Sequence, residues 1–389
     1  CAVRPCLHSR LFSATLLVVL SFWAASCAVP LGPGYTIEKQ QMCVRFTAPE
    51  PQIRIEADYQ LKNTGTRALY ELEMRLPGRR FHVNELRATW DTTILVLGKS
   101  PDNPRNTVVP LAQPWNKSAR HTLHLAMEFS PAQEGETALS FSSDAFFLPG
   151  EGWSTELLPP TGLFATGGVP PQSWELLVAV PEGFLLRTSG KQKKSSRRKG
   201  ELTILAEQQP KDRYPFVIAG RYRSAESGRG KSKIHLWTRK PQEAAGLREA
   251  SDALAQAMEA YDATFGVRKK ESLQTWIVEC PVAAGCFTNL SASAARLLGE
   301  GEKERIAAEM ISQDTIMVDF SGGPPKLAAA VAPSLATSWL GYAQSPRFYE
   351  QDPPLSLLPL FAASIGREAV EGANWRAETI RRALRRIPA

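Results

Sequence analysis

Apolar and polar residues alternate strictly through much of the first half of the chain. Ile53-Arg-Ile55-Glu-Ala57-Asp-Tyr59-Gln-Leu61-Lys alternates without an error, the pattern of an antiparallel strand with one face buried and one in water. Asn63-Thr-Gly65 then turns the chain, and Tyr70, Leu72, Met74 and Leu76 alternate on the way back. Leu123, Leu125, Met127 and Phe129 repeat the pattern, and Trp174–Val180 makes a further apolar strand. From Tyr35 to about Ser224, strands separated by Gly/Pro turns and free of helical period predict a β-sandwich or one large curved sheet.

The period changes after Ile234-His-Leu-Trp237. Beyond Pro241, Leu247, Ala250, Leu254, Met258, Tyr261 and Phe265 are spaced by three and four, and Gly266 follows as a stop, so this segment reads as an amphipathic helix. A strand at Leu273–Val278, a Gly-containing loop, a helix near Glu302–Ile311 and a short strand at Thr315–Val318 come next. Helices are expected over Leu327–Leu340, roughly Leu355–Val370 and Ala377–Arg386, which makes the second half α+β. No internal repeat is visible.

The amino-terminal segment has another character. Arg4 and Arg10 precede the apolar run Leu11–Trp23, which ends in the small residues Ala24-Ala25-Ser26-Cys27, the layout of a secretory signal. Cys27 after Ala-Ser resembles the cysteine that is cleaved at and lipidated in bacterial lipoproteins, although Ala24 stands where leucine is usual. Simple cleavage, or an uncleaved anchor running to about Leu31, are the alternatives. The expected location is therefore the cell envelope, with the body tethered to a membrane through residues 1–34.

With 389 residues, 43% hydrophobic and 22% charged, the chain can bury a sizeable core. That composition excludes a disordered tail, a collagen, a coiled coil or a small disulfide scaffold. The net charge of +7 suggests nucleic acid, but Lys191–Lys199 alone holds six positive charges, leaving 7 − 6 = +1 for the rest. This run lies between Phe184–Arg187 and Glu201–Leu205 and reads as a solvated hairpin loop, with contact to anionic lipid headgroups as the sharper alternative. Past the signal the cysteines are Cys27, Cys43, Cys280 and Cys286. Export permits a disulfide, and Cys280 and Cys286 form the close pair, though two buried thiols suit the spacing equally.

The order of parts resembles the alanyl-aminopeptidase-like gluzincin family of zinc metallopeptidases, which joins an N-terminal β-domain to a thermolysin-like domain. The similarity is carried by Pro171–Pro181, by Pro215-Phe-Val-Ile-Ala-Gly-Arg-Tyr222 and by the helix ending at Phe265-Gly266. It spans roughly residues 35 to 370 in many short matches. The resemblance implies a β-domain over 35–225 and a shortened thermolysin-like domain over 226–389.

Two stretches fall where that family keeps its chemistry. Gly285-Cys-Phe-Thr288-Asn289 stands where family members carry Gly-Ala-Met-Glu-Asn, whose Glu binds the substrate's free amino terminus. Gly285 and Asn289 agree, but Thr288 replaces the Glu, and a neutral hydroxyl lacks the charge that pairs with an ammonium. A plain Gly-containing turn explains the stretch as well. Ala332-Pro333-Ser334-Leu335-Ala336-Thr337-Ser338-Trp339-Leu340-Gly341 resembles the family's His-Glu-Leu-Ala-His-Gln-Trp-Phe-Gly helix. Zinc chemistry there needs two His at i and i+4 with a Glu between them as general base; the positions are Pro333, Thr337 and Ser334, and none is competent. The third ligand, a Glu, would fall near Ser356-Leu357, and the transition-state tyrosine beyond Ala389.

An argument independent of alignment agrees. The histidines are His8, His82, His121, His124 and His235, so none occurs among the 154 residues (389 − 235) after His235. His121 and His124, three apart on an expected strand, point to opposite faces and chelate poorly. No nucleophile elbow, Walker loop or dinucleotide fingerprint is present, and Glu300, Glu302, Glu304 and Glu309 read as a solvated helical face. The sequence thus points to a catalytically silent, exported aminopeptidase relative that needs no cofactor and binds a peptide or protein partner in the envelope, with no role for nucleic acid. The alternatives are an active zinc aminopeptidase with unrecognised ligands, or a protein whose β-domain alone is the working module.

Overall fold

The computed structural model describes residues 34–77, 81–101, 103, 106–131, 142–150, 153–160, 168–198, 200–208, 215–229, 232–239, 244–266, 274–280, 308–312 and 314–318, with isolated positions between 331 and 381. The strands run in the order β1 (Tyr35–Thr47), β2 (Gln52–Asn63), β3 (Leu69–Arg75), β4 (Phe81–Trp90), β5 (Thr93–Ile94), β6 (Gly98–Lys99) and β7 (Asn106–Trp115). Then follow β8 (Arg120–Pro131), β9 (Ala145–Leu148), β10 (Glu156–Leu158), β11 (Trp174–Pro181), β12 (Leu185–Thr188), β13 (Lys191–Arg198), β14 (Glu201–Glu207) and β15 (Val217–Gly220). Next come β16 (Arg223–Arg229), β17 (Ser232–Thr238), helix α1 (Ala244–Phe265), β18 (Gln274–Glu279), β19 (Ala308–Ser312) and β20 (Thr315–Val318).

Four sheets result. The largest has eight strands in the order β13-β14-β11-β1-β2-β8-β4-β5, antiparallel except where β1 lies parallel to β11. Its inner face is lined by residues that the alternation marks, among them Ile55, Tyr59, Leu123, Met127, Leu176 and Val178. A four-stranded sheet, β10-β3-β7-β6, and a three-stranded sheet, β12-β15-β9, contribute to the same apolar core. The described residues of the first half are therefore built of β-sheets, as the alternation predicts.

Strands β9 (Ala-Phe-Phe-Leu) and β15 (Val-Ile-Ala-Gly) are buried at every position. Phe146, Leu148, Val217 and Ala219 face the eight-stranded sheet, whereas Phe147 and Ile218 belong to a different cluster. That cluster brings in Trp237, Val278 and Met317 from the fourth sheet, β16-β17-β18-β20-β19. The opposite face of the fourth sheet, through Ile234, Leu236, Ile277, Ile316 and Val318, packs on Ala250, Leu254, Met258 and Tyr261 of α1. The layers are thus eight-stranded sheet, three-stranded sheet, five-stranded sheet and helix. Strands buried on both sides read as continuous apolar runs because neither side meets water.

Several expectations are corrected. Asn63-Thr-Gly65 does not close a hairpin: β2 pairs with β1 and β8, while β3 crosses to the small sheet and pairs with β10 and β7. The buried Asn63 amide holds this crossing, donating to Arg67 O and Trp115 O and accepting from Gly65 N. A register shift between Leu69 and Glu71 turns Tyr70 outward, leaving it 67% exposed instead of sharing a face with Leu72 and Met74. Ala308–Ser312 is a strand and not the end of a helix, since its backbone groups pair antiparallel with β20; residues 302–307 lie outside the described residues. β16 straddles the expected boundary at 225/226 and belongs entirely to the fourth sheet.

The basic run is the clearest reversal. Lys191–Arg198 is a strand, and only the connection to Glu201 is a turn, with Arg198 opposite Glu201 and Gly200 at φ +77°. Its lysines and arginines carry no pattern of their own; the unpaired edge of the apolar strand β14 supplies the hydrogen bonds that extend them. The entry is set by Gly190 at φ +83°, where a Cβ would run into Glu207 O and the Trp174 ring. Gly183, at φ +87°, faces open space. Gly183→Ala should therefore cost about 1–2 kcal/mol for the left-handed backbone alone. Gly190→Ala should cost more, about 3 kcal/mol or above, because strain and overlap add. Urea unfolding of the two variants checks the order; equal losses would mean that the tight contact at Gly190 is readily relieved.

Candidate functional site

Strands β17, β18 and β20 run parallel, so their carboxyl ends, Thr238, Glu279 and Val318, reach the same margin of the sheet. In open sheets built of parallel strands, the crevice beyond the carboxyl ends is the usual place for a ligand. The chain that follows β18 leads into Gly285–Asn289, and the chain that follows β20 leads into Pro333–Thr337.

Glu279 organises the described part of that margin. Its carboxylate is buried, and Oε2 accepts from Thr238 Oγ1 at 2.8 Å and from Arg239 N at 2.5 Å, which binds the exit of β17 to the exit of β18. Its carbonyl accepts from Tyr222 Oη at 3.1 Å, a phenol whose pKa burial pushes upward, so it stays a donor throughout the ordinary pH range. Arg239 reaches Asp144 at 3.6 Å. Cys280 donates its N–H to Val318 O at 2.8 Å and is disulfide-bonded, to a partner outside the described residues; Cys43 is a free thiol.

Near the opposite ends of these strands, Arg187 of β12 reaches across the layers. Its guanidinium donates to Asp314 Oδ2 at 2.6 Å and to Thr315 Oγ1 at 3.4 Å, and lies 3.7 Å from the Trp276 ring centroid. Trp276 also stacks on His235 at 4.8 Å, and His235 Nδ1 is 3.2 Å from Glu226. Burial works against ionisation of Asp314, but the Arg187 charge and hydrogen bonds from Ser312, Arg187 and Thr315 outweigh it, holding the carboxyl below the usual range.

His121 pairs with Asp91 at 2.7 Å beside the Trp90 and Trp115 rings, and His124 pairs with Asp58 at 2.6 Å. His235 is held in the stack on Trp276. Among the described residues no three His, Cys, Asp or Glu side chains gather to hold a metal, and no helix is long and apolar enough to cross a membrane. Pro333, Ser334, Thr337, Gly285, Thr288, Asn289 and Cys27 all lie outside the described residues. Val331 and Leu335, which flank the first of these, are helical and fully buried in the core formed with α1.

Sequence reading passed over Glu279 and Arg187. The available signal was a charged residue closing an apolar strand, Trp276-Ile-Val-Glu279 and Leu185-Leu-Arg187, but neither partner is local.

No protein-family model and no curated protein matches the sequence. Among solved structures, the chain is similar to the M1 zinc metallopeptidase from Deinococcus radiodurans at 14% identity, with a TM-score of 0.46 over 92% of this chain and 76% of that one. A mutant of that peptidase gives 14% identity and a TM-score of 0.47 over the same shares. A two-domain M1 zinc metallopeptidase mutant bound to L-tryptophan gives 15% identity and a TM-score of 0.42 over 77% of this chain and 64% of that one.

The lowered pKa of Asp314 fixes the sign of a pH effect. A depressed carboxylate contributes stability above its unfolded pKa, near 3.9, and that contribution is lost as pH falls through the folded value. Asp314→Asn should lose about 1–3 kcal/mol at pH 7, given side-chain exposures of 20% and 33% for the Arg187–Asp314 pair. The gap between variant and wild type should close below pH 4. Thermal unfolding of both from pH 7 to pH 2 tests this, and a gap that widens in acid would contradict it.

Proposed function

We propose that the chain is a catalytically silent relative of the alanyl-aminopeptidase-like gluzincins, with the β-domain over 35–225 and the shortened thermolysin-like domain over 226–389. It is exported, held at the envelope through its N-terminus, and binds a peptide or protein partner without cleaving it. One observation carries this reading: the residues at the positions of motif resemblance, Pro333, Ser334, Thr337 and Thr288, cannot do the family's chemistry. A proline has no side-chain donor for zinc, and a threonine hydroxyl is no substitute for imidazole. Ser334 cannot serve as the carboxylate base, and Thr288 cannot balance an ammonium. The residues present do not fit a catalytic zinc, so no hydrolytic step is assigned to them. What remains at the carboxyl margin is the Glu279 anchor with Thr238 and Arg239, beside which an extended peptide would lie.

Metal analysis of the purified chain tests the reading directly. We expect less than stoichiometric zinc, no change in melting temperature with chelator, and no aminoacyl-substrate turnover above background with added zinc. One tightly bound zinc per chain with turnover would establish an active peptidase instead.

Attachment is tested separately. The wild-type protein should fractionate with membranes, and Cys27→Ala should release it if the tether is a lipid. Retention of the variant would point to the apolar run Leu11–Trp23 as an anchor. A soluble wild type would contradict both forms.

A further inference from the structure

We infer that β13 is a docking strand for an acidic, extended peptide segment, which adds to the eight-stranded sheet along its basic edge. β13 is the outermost strand of that sheet, and among the described residues nothing pairs with its outer side. Alternate residues of an edge strand turn their N–H and C=O groups away from the sheet, so an eight-residue strand of roughly 26 Å offers about four such positions. Gly190 and the Gly200 turn hold it in place, and all but one of its side chains are exposed.

Charge identifies the occupant. Lys193, at the register shift, is paired with Glu207 at 2.7 Å and serves the sheet itself. Lys191, Lys194, Arg197 and Arg198 have no carboxylate partner among the described residues. One or two lysines suffice to deter edge-to-edge association; four unpaired cations exceed that need and equally repel a second copy of the chain. The cross-strand register decides between an anionic surface and an anionic strand. Lys194 and Arg198 stand opposite Leu205 and Glu201 on the solvent face, whereas Arg197 stands opposite the buried Leu202 on the other side. The cations therefore fan out to both sides of the edge. A flat bilayer meets one side of such a fin and also meets Glu201 and Glu207, but an added strand alternates its own side chains to both sides and can satisfy all of them. This surface is separate from the margin at Glu279, and the inference stands whether or not that margin hydrolyses peptides.

The test uses the full chain and a fluorescein-labelled, capped nonapeptide of Glu, Thr and Val with glutamates on both faces of its extended form. Anisotropy titration should give micromolar binding that weakens with salt. The same peptide N-methylated at alternate residues keeps its charge but loses its strand hydrogen bonds, and should bind at least about tenfold more weakly. Lys194→Gln combined with Arg198→Gln should lower affinity by about tenfold without changing the melting temperature, since both side chains are exposed. Independently of any variant, hydrogen exchange at Gln192–Arg198 should slow when the peptide is added. Equal binding of the N-methylated peptide, unchanged exchange in β13, or binding of phosphatidylglycerol vesicles but not of the peptide would overturn the inference.

Discussion

The three-stranded sheet β12-β15-β9 is apolar on both faces, and the rest of the described architecture depends on it. Phe146, Leu148, Val217 and Ala219 complete the core of the sandwich on one side, while Phe147 and Ile218 meet the five-stranded sheet on the other. Two layers that each expose one apolar face would otherwise need separate covers. A shared wall removes both faces from water at once, at roughly 25 cal/mol for each Å² of apolar area. It also leaves no room for variation: at Gly220, a Cβ would overlap Ala145 and Tyr222.

Apolar contact sets no orientation by itself, and here polar groups supply it. Arg187 joins β12 to Asp314, Thr315 and the Trp276 ring, and the Tyr222 hydroxyl joins the chain just past β15 to the end of β18. Bonds of this kind are modest in net stability but costly to leave half made, because a lost partner strands a buried charge or carbonyl. They therefore select one relative placement of the sheets. Glu279 works in the same way within the five-stranded sheet by bonding the exits of two neighbouring strands.

The two ends of the parallel strands are held by different polar contacts. The amino-terminal side of the parallel strands is taken up by the Arg187 contact, whereas at the carboxyl margin Glu279 holds the exits of β17 and β18. Among the described residues no further strand pairs with the outer edge of the eight-stranded sheet, and Lys193 of β13 pairs with Glu207.

Much of the fold was legible because burial leaves a local trace. Period-two alternation marked β2 and β8, threefold and fourfold spacing marked α1, and uniform apolar runs marked β18 and β20. The partners were not legible. β3 left β2 for another sheet because the Asn63 side chain bonds to Trp115 O, 52 residues away, and Lys191–Arg198 became a strand because β14 offered an edge. Of the candidate site, the sequence shows which residue types stand at the positions of motif resemblance, Pro333, Ser334, Thr337 and Thr288, since chemistry is a property of the residue itself. It could not mark Arg187 and Glu279, whose partners lie 127 and 41 residues away. Periodicity records whether a residue is buried; only the tertiary structure decides against what, because that depends on contacts between segments that share no local pattern.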